Sequence, residues 1–450
     1  MTKVHFIAIG GSVMHQLAIA LKLKGYQVTG SDDEIFEPAL SNLRQAEILP
    51  ATMGWDDSRI TPDLDAVILG MHARGDNPEL LKAKELNLKI YSFPEYIYQE
   101  SLQKKRVAVG GSHGKTTTTA MIMHVLQQAG KDFDYLVGAR LAGFAQSVNI
   151  TNAPTIVMEA DEYPASVIEK RPKFHFLHPQ IAVLTGIAWD HINVFPTYEI
   201  YLEQFVIFVK TMEKGATLIY NETDPELVKL VHAEGGHLKL VPYGVPAHTI
   251  SNGVTSVTFG GETKAMEVFG DHNLLNMHAA RLVCNELGVD DTTFLSAIAT
   301  FKGAAKRLEL VGKNDHCAIY RDFAHAPSKV KATIEALKEQ YPTRTLIAVL
   351  ELHTYSSLNA AFMVQYQGAM DKADIPAVFY SRHALEIKRM PDLQPEGIAQ
   401  GFGRNDLQVF NNREHLQAFL DAQNYQNANL LLMSSGDYEG MNVPSLTKYL

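Results

Sequence analysis

Gly110-Gly-Ser-His-Gly-Lys-Thr-Thr-Thr-Thr119 follows directly on the apolar run Arg106-Val-Ala-Val109, and this junction decides how the middle of the chain folds. A strand that ends in glycines and turns at once into a helix leaves backbone N–H groups unpaired at the helix start. The helix dipole adds its positive end at the same spot, and together they make a polyphosphate site. In such a loop Lys115 neutralises the β and γ phosphates and the Thr116 hydroxyl holds Mg²⁺, while Gly111, Ser112, His113, Gly114 and Thr117 complete the cradle. The stretch beyond carries Met121, Val125, Leu126 and Ala129 on one helical face and reaches a stop at Gly130. Val109 stands five residues before Gly114, where the common nucleotide loop has glycine, so this loop is one residue shorter. The segment predicts ATP and Mg²⁺ as ligands.

Outward from the loop, both flanks alternate strand and helix, the pattern of parallel sheets with crossovers. Before it, Val4 to Ile9 reads as a strand, Gly10-Gly11 as a turn, Val13 to Leu23 as a helix ending near Gly25, and Val28 to Gly30 as the second strand. Asp32 follows about twenty residues after the glycines, where an acid accepts hydrogen bonds from a ribose or base. Asp65 to Leu69 makes a further strand, leading into the loop Gly70-Met-His-Ala-Arg-Gly75. Gly10-Gly11-Ser12-Val13-Met14 lacks the full dinucleotide glycine series, which leaves a nucleotide-binding turn and a purely structural one both open.

After the loop, Thr155 to Met158, Ile181 to Thr185 and Ala216 to Tyr220 read as strands, and a hairpin joins Val254–Phe259 to Lys264–Phe269 across Gly260-Gly261. The last third alternates again: Cys317 to Asp322, a helix from Ser328 to Glu339 striped by Val330, Ile334 and Leu337, then strands at Thr345–Leu350, Ala377–Tyr380 and Asn429–Met433. In a parallel sheet the reactive crevice lies at the carboxyl ends of the strands. Glu159 and His191, which follow successive strands, are therefore expected to converge with Thr116 as oxygen and imidazole ligands of magnesium. At Gly270-Asp-His-Asn-Leu-Leu-Asn276 a helix begins. Asp271 or Asn273 there serves either as a cap for backbone N–H groups or, through the Asn273 amide, as a partner for an adenine edge.

Composition narrows the partners. The 450 residues exceed one compact core and suggest about three domains. Lys and Arg number 40 against 50 Asp and Glu, so no basic stripe of the kind nucleic acid requires is expected. Cys284 and Cys317 lack metal-type spacing and read as core thiols of a reducing compartment. Met1-Thr-Lys-Val-His-Phe-Ile7 has no signal-peptide character and no apolar run reaches spanning length, so the expectation is a cytoplasmic protein without membrane insertion or an obligate protein partner.

Taken in order, Gly111-Ser-His-Gly-Lys-Thr-Thr-Thr118, Glu159-Ala-Asp-Glu162, Asp190-His191, Gly270-Asp-His-Asn273 with Asn276 and Ala279-Ala280, Lys306-Arg307 and Asp322-Phe-Ala-His-Ala-Pro327 resemble the Mur ligases of bacterial cell-wall synthesis. The likeness covers essentially the whole chain. It implies an α/β protein of three domains: a Rossmann-like N-terminal domain (1–102) that binds a UDP-sugar, a central P-loop ATPase domain (103–300), and a Rossmann-like C-terminal domain (301–450) that closes on ATP and receives the amine. It implies Lys115 as the phosphate lysine, Thr116, Glu159 and His191 as magnesium ligands, and Asn273 as the adenine contact. By the same likeness Arg307 and His325 reach toward phosphate and Asp322 toward ribose, and Gly10, Gly11, Ser12, Asp32 and His72 line the UDP-sugar site.

Within the family, Glu159-Ala-Asp-Glu-Tyr163 with Glu169-Lys-Arg-Pro-Lys-Phe174, Thr29-Gly-Ser-Asp32 and Arg74-Gly-Asp-Asn-Pro78 are similar to the branch that joins UDP-N-acetylmuramate to the recycled tripeptide L-alanyl-γ-D-glutamyl-meso-diaminopimelate. The branch that adds free L-alanine is the alternative, and a non-catalytic nucleotide sensor is the alternative outside the enzymes. Two departures stand out. Val206 occupies the place where many family members carry a carbamylated lysine, with Lys210 one helical turn further on, and Ser12-Val-Met-His15 replaces a more glycine-rich first loop.

Overall fold

A computed structural model describes residues 1–71, 73–139, 141, 143–166, 169–189, 194–303 and 307–450. The chain divides into two compact units, Met1–Gly244 with Leu275–Ile298, and Val245–Leu274 with Ala299–Leu450.

The first unit holds two sheets. In the first, β1 (Lys3–Ile7), β2 (Gln27–Ser31), β3 (Ala66–Leu69) and β4 (Ile90–Ser92) pair in parallel in the order β2-β1-β3-β4. Alternate residues face opposite sides, as the strand pleat requires. Val4, Phe6 and Ile68 join the core that includes Leu17 and Leu21 of helix Met14–Leu23, while Ile7, Val67 and Leu69 pack with Leu80 and Ala83 of helix Pro78–Glu85. Asn77 starts the latter helix by accepting from the Leu80 N–H at 3.1 Å, with Pro78 supplying a preset φ. The first strand stops at Ile7, two residues earlier than the sequence suggests, because Ala8 turns the chain at φ 65°.

The second sheet comprises β5 (Lys105–Gly110), β6 (Asp134–Leu136), β7 (Val148–Asn149), β8 (Thr155–Glu159), β9 (Ile181–Leu184), β10 (Thr217–Asn221) and β11 (Lys239–Tyr243), in the order β11-β10-β9-β5-β8-β6-β7. Only β7 runs antiparallel to its neighbour. Helix Lys115–Gln128 leaves the carboxyl end of β5 with Met121, Val125 and Leu126 buried, and Gly130 (φ 65°) ends it as the periodicity requires.

In the second unit, β12 (His248–Ser251), β13 (Val254–Phe259) and β14 (Glu262–Met266) form an antiparallel sheet. The expected hairpin is present, but its second strand starts at Glu262 and ends at Met266. Gly260 (φ 57°) and Gly261 (φ 85°) close a two-residue turn that pairs Phe259 with Glu262. The larger sheet has β15 (Glu309–Lys313), β16 (Cys317–Asp322), β17 (Thr345–Leu352), β18 (Ile375–Tyr380), β19 (Gln408–Phe410) and β20 (Ala428–Met433) in the order β15-β16-β20-β17-β18-β19, parallel except for β15. Val330, Ile334 and Leu337 of helix Pro327–Gln340 cover one face, and Leu416 and Leu420 of helix Arg413–Asp421 cover the other. Cys284, in the first unit, and Cys317, in the second, are both buried and unpaired with each other. No described helix is long and apolar enough to cross a membrane.

Candidate nucleotide and metal site

The loop between β5 and helix Lys115–Gln128 is held open by its glycines. Gly111 has φ 121° and Gly114 φ 81°, a region where a side chain is strained. A Cβ at Gly111 would lie 2.8 Å from the Thr185 nitrogen and 2.9 Å from the Gly186 oxygen, and one at Gly114 would strike the Asn276 amide. The end of β9 laces the loop in place. Ser112 N–H donates to the Gly186 carbonyl at 2.9 Å, Ala188 N–H to Ser112 Oγ at 3.0 Å, and the Thr185 hydroxyl to the His113 carbonyl.

Lys115 curls back over this loop. Its Nζ donates to the Gly111 carbonyl at 2.6 Å and to Glu162 at 3.0 and 2.7 Å, and the Glu162 side chain is fully withdrawn from solvent. Burial pushes the ammonium pKa down, but the charges of Glu162, Asp161 and Glu159 outweigh it and hold Lys115 above the ordinary lysine range. Asp161 is likewise pushed up by burial and carried below the usual carboxylate range by Lys173, at 2.7 Å, and by Lys115.

Thr116 donates its hydroxyl to Glu159 Oε1 at 2.8 Å, and the Gly138 N–H donates to Glu159 Oε2 at 2.8 Å. The hydroxyl proton thus faces the carboxylate, leaving oxygen lone pairs on both residues, a hard donor set that suits Mg²⁺. Thr116 and Glu159 therefore meet as expected. The third expected ligand, His191, lies outside the described residues, as do Asp190, Lys306 and His72.

Three further residues shape this site without having been assigned a role from the sequence. Glu162 closes on Lys115; its signal was its place three residues after Glu159 in one acidic run behind a strand. Asn276 Oδ1 accepts from the Thr118 hydroxyl at 3.2 Å and fills the space that Gly114 leaves. Asp224 accepts from Ile187 N–H at 2.8 Å while its other oxygen caps helix Pro225–Glu234, a role that the Asp-Pro dipeptide could have revealed.

Beside this site a cleft of about 1160 Å³ is lined by Gly10, Gly11, Ser12 and Asp32, and by Gly138, Gln146 and Ser147. Asp32 Oδ2 accepts from Gly10 N–H at 2.7 Å, so the acid holds the glycine turn that the sequence places next to it. Burial pushes its carboxyl up to about 6.

In the second unit Arg307, Asp322 and His325 gather around one loop. The Arg307 guanidinium lies 4.7 Å from the Phe323 ring centroid and the His325 ring packs edge-on at 5.4 Å. Asp322 accepts from the Ala324 N–H at 2.6 Å and from the Leu308 N–H; burial raises its carboxyl to about 6. Asn273 donates its amide to the Phe269 carbonyl at 3.0 Å, so its side chain serves a carbonyl rather than capping the N–H groups. Val206 packs half-buried against the apolar core, and Lys210 pairs with Glu234 at 3.0 Å. Arg382 does not lie on a loop: it opens helix Arg382–Lys388 directly after β18, faces Asp392 at 3.7 Å and is largely exposed.

Three family models match the chain in order: "Mur ligase family, catalytic domain" over residues 3–105, "Mur ligase middle domain" over 109–284 and "Mur ligase, glutamate ligase domain" over 306–436. UDP-N-acetylmuramate–L-alanine ligase of Aquifex aeolicus is 31% identical over 79% of this chain and 78% of its own length. UDP-N-acetylmuramate–L-alanyl-gamma-D-glutamyl-meso-2,6-diaminoheptandioate ligase of Haemophilus influenzae is 28% identical over 100% of this chain and 99% of its own. Among solved structures, the UDP-N-acetylmuramate-alanine ligase of Thermotoga maritima shares the fold with a TM-score of 0.67 at 22% identity, over 100% of this chain and 98% of that one.

Proposed function

The chain belongs to the Mur ligase family and is an ATP-dependent amide-bond ligase, and from that premise we propose that it joins UDP-N-acetylmuramate to the tripeptide L-alanyl-γ-D-glutamyl-meso-diaminopimelate recovered from peptidoglycan. The observation that supports this reading is the way its two branch-like segments come together. Lys173 pairs with Asp161 at 2.7 Å and donates its N–H to the Tyr163 carbonyl at 2.9 Å, while Ala165 N–H donates to the Arg171 carbonyl at 2.9 Å. Glu159–Tyr163 and Glu169–Phe174 thereby form one element behind the metal carboxylate. The rival is addition of free L-alanine, the activity named for the Aquifex aeolicus relative; identity does not separate the two, since the tripeptide ligase of Escherichia coli is also 31% identical.

In the proposed reaction the substrate carboxylate attacks the γ-phosphorus of ATP and ADP leaves. The amine then attacks the acyl phosphate carbonyl carbon, inorganic phosphate leaves, and the ammonium proton passes to solvent. Two anions must approach each other in the first step, so the chain's task is to offset charge. Lys115, held charged by Glu162, lies over the loop where the β and γ phosphates would sit. Thr116 and Glu159, with His191 by family resemblance, would hold Mg²⁺, which supplies positive charge at the migrating phosphoryl group. Gly10, Gly11, Ser12 and Asp32, with His72, would take the UDP-sugar in the adjoining cleft. Asn273, Asp322, Arg307 and His325 are assigned to adenine, ribose and phosphate, and the domains to 1–102, 103–300 and 301–450, by the same resemblance.

ADP release measured with UDP-N-acetylmuramate and either L-alanine or the tripeptide tests the reading. The tripeptide is expected to give the higher kcat/KM, because its remote groups supply binding energy that positions the amine. Equal or better kcat/KM for L-alanine would overturn it in favour of the rival.

A further inference from the structure

The parallel register of the central sheet pairs Leu136 of β6 with Met158 of β8, so the residues that leave β6 run alongside Glu159. Gly138 is the one that meets it. Its N–H donates to Glu159 Oε2 at 2.8 Å while the Thr116 hydroxyl holds Oε1 at 2.8 Å, so each carboxylate oxygen has one donor and the group cannot rotate without losing both. The same glycine stands in the wall of the 1160 Å³ cleft that carries Gly10, Gly11 and Asp32. A Cβ at this position would lie 3.2 Å from Oε2, 3.3 Å from Oε1 and 3.4 Å from Cδ of Glu159, and nothing else is nearer. The absent side chain is therefore needed by the carboxylate and not by the backbone, since Gly138 is not among the residues with positive φ.

We propose that Gly138 is a positioning residue for phosphoryl transfer: its N–H and its bare Cα fix the Glu159 carboxylate where the first cleft meets the metal site. The inference rests on reading Glu159 as a metal carboxylate, and is independent of which amine is the substrate. Displacing the carboxylate by a few tenths of an ångström misaligns charge against the migrating phosphoryl group; since a misplacement of about 1 Å can cost about 10²-fold, a fall of about tenfold in rate is expected.

The test is Gly138→Ala, which keeps the N–H and adds only the methyl, read by three measurements beside a thermal melt. Mn²⁺ binding in the presence of a non-hydrolysable ATP analogue, followed by electron paramagnetic resonance, is expected to weaken about tenfold, in step with kcat. UDP-N-acetylmuramate affinity without nucleotide or metal is expected to change far less than Mn²⁺ affinity, because the atoms nearest the added methyl are all those of Glu159. In a cycle with Glu159→Asp, whose shorter side chain withdraws from the methyl, the two effects on Mn²⁺ affinity are expected to be non-additive. Wild-type Mn²⁺ affinity in Gly138→Ala, or strict additivity in the cycle, would overturn the inference. Wild-type protein that binds the Mn²⁺–nucleotide pair with the same Gly138 dependence, yet turns over neither amine, would sink the proposed reaction and leave this role standing.

Discussion

Lys115 and Glu162 face each other at 2.7 Å, with the carboxylate wholly out of solvent and the ammonium nearly so. The pair keeps Lys115, the proposed phosphate lysine, charged and held over its loop, at the cost of a buried anion that depends on it. Lys115→Met should abolish turnover and destabilise the chain by about 3 to 5 kcal/mol in urea unfolding, because it strands Glu162. Lys115→Met combined with Glu162→Gln should recover most of that stability and none of the activity. UDP-N-acetylmuramate affinity, measured calorimetrically, should survive in both, since its proposed cleft is lined by other residues. Equal stability of the single and double variants would remove the dependence.

Gly114 combines a left-handed backbone with contact against Asn276. Gly114→Ala is expected to lower stability by about 1 to 3 kcal/mol and to eliminate ATP-analogue binding. Adding Asn276→Ala relieves the collision but not the backbone strain, so recovery should be partial. Full recovery would mean that the backbone conformation is dispensable.

Glu159→Gln removes a full charge where the γ phosphate is proposed to move. A fall of about 10²-fold in kcat, with ATP-analogue affinity changed far less, is the expected outcome at saturating magnesium. Wild-type kcat would take Glu159 out of the site.

Asp322 carries a sign that stability measurements can read. Its folded carboxyl is raised to about 6 from an ordinary 3.8, chiefly by burial, so the folded chain holds this proton more tightly than the unfolded one. The stability associated with it is complete below the ordinary value and is lost as pH rises through about 6. Melting temperatures of wild type and Asp322→Asn, compared at each pH from 4 to 7, should therefore show wild type losing ground to the variant with rising pH. A constant difference would contradict the raised carboxyl.

Much of this was legible because local rules and global fold agree. The strand, glycine loop and Lys-Thr helix start are contiguous, and the register of β5 against β8 brings Glu159 to Thr116 as strand order alone suggests. Glu162, Asn276 and Asp224 were harder. Each acts through a contact between residues far apart in sequence, Asn276 reaching Thr118 and Asp224 reaching Ile187, and periodicity carries no information about such pairs. The early end of the first strand at Ile7 was invisible for another reason: Ala8 adopts φ 65° with no glycine or asparagine to advertise it.

The two thiols give the molecule a pair of built-in clocks. Cys284 sits in one compact unit and Cys317 in the other, both buried, and burial pushes the second up to about 11 and the first higher still. With both sulfurs buried, the rate at which a thiol reagent marks each one is expected to count the openings of its own unit. Peptide mapping after timed labelling would separate the two rates, and a ligand that tightens one unit alone would slow only one of them.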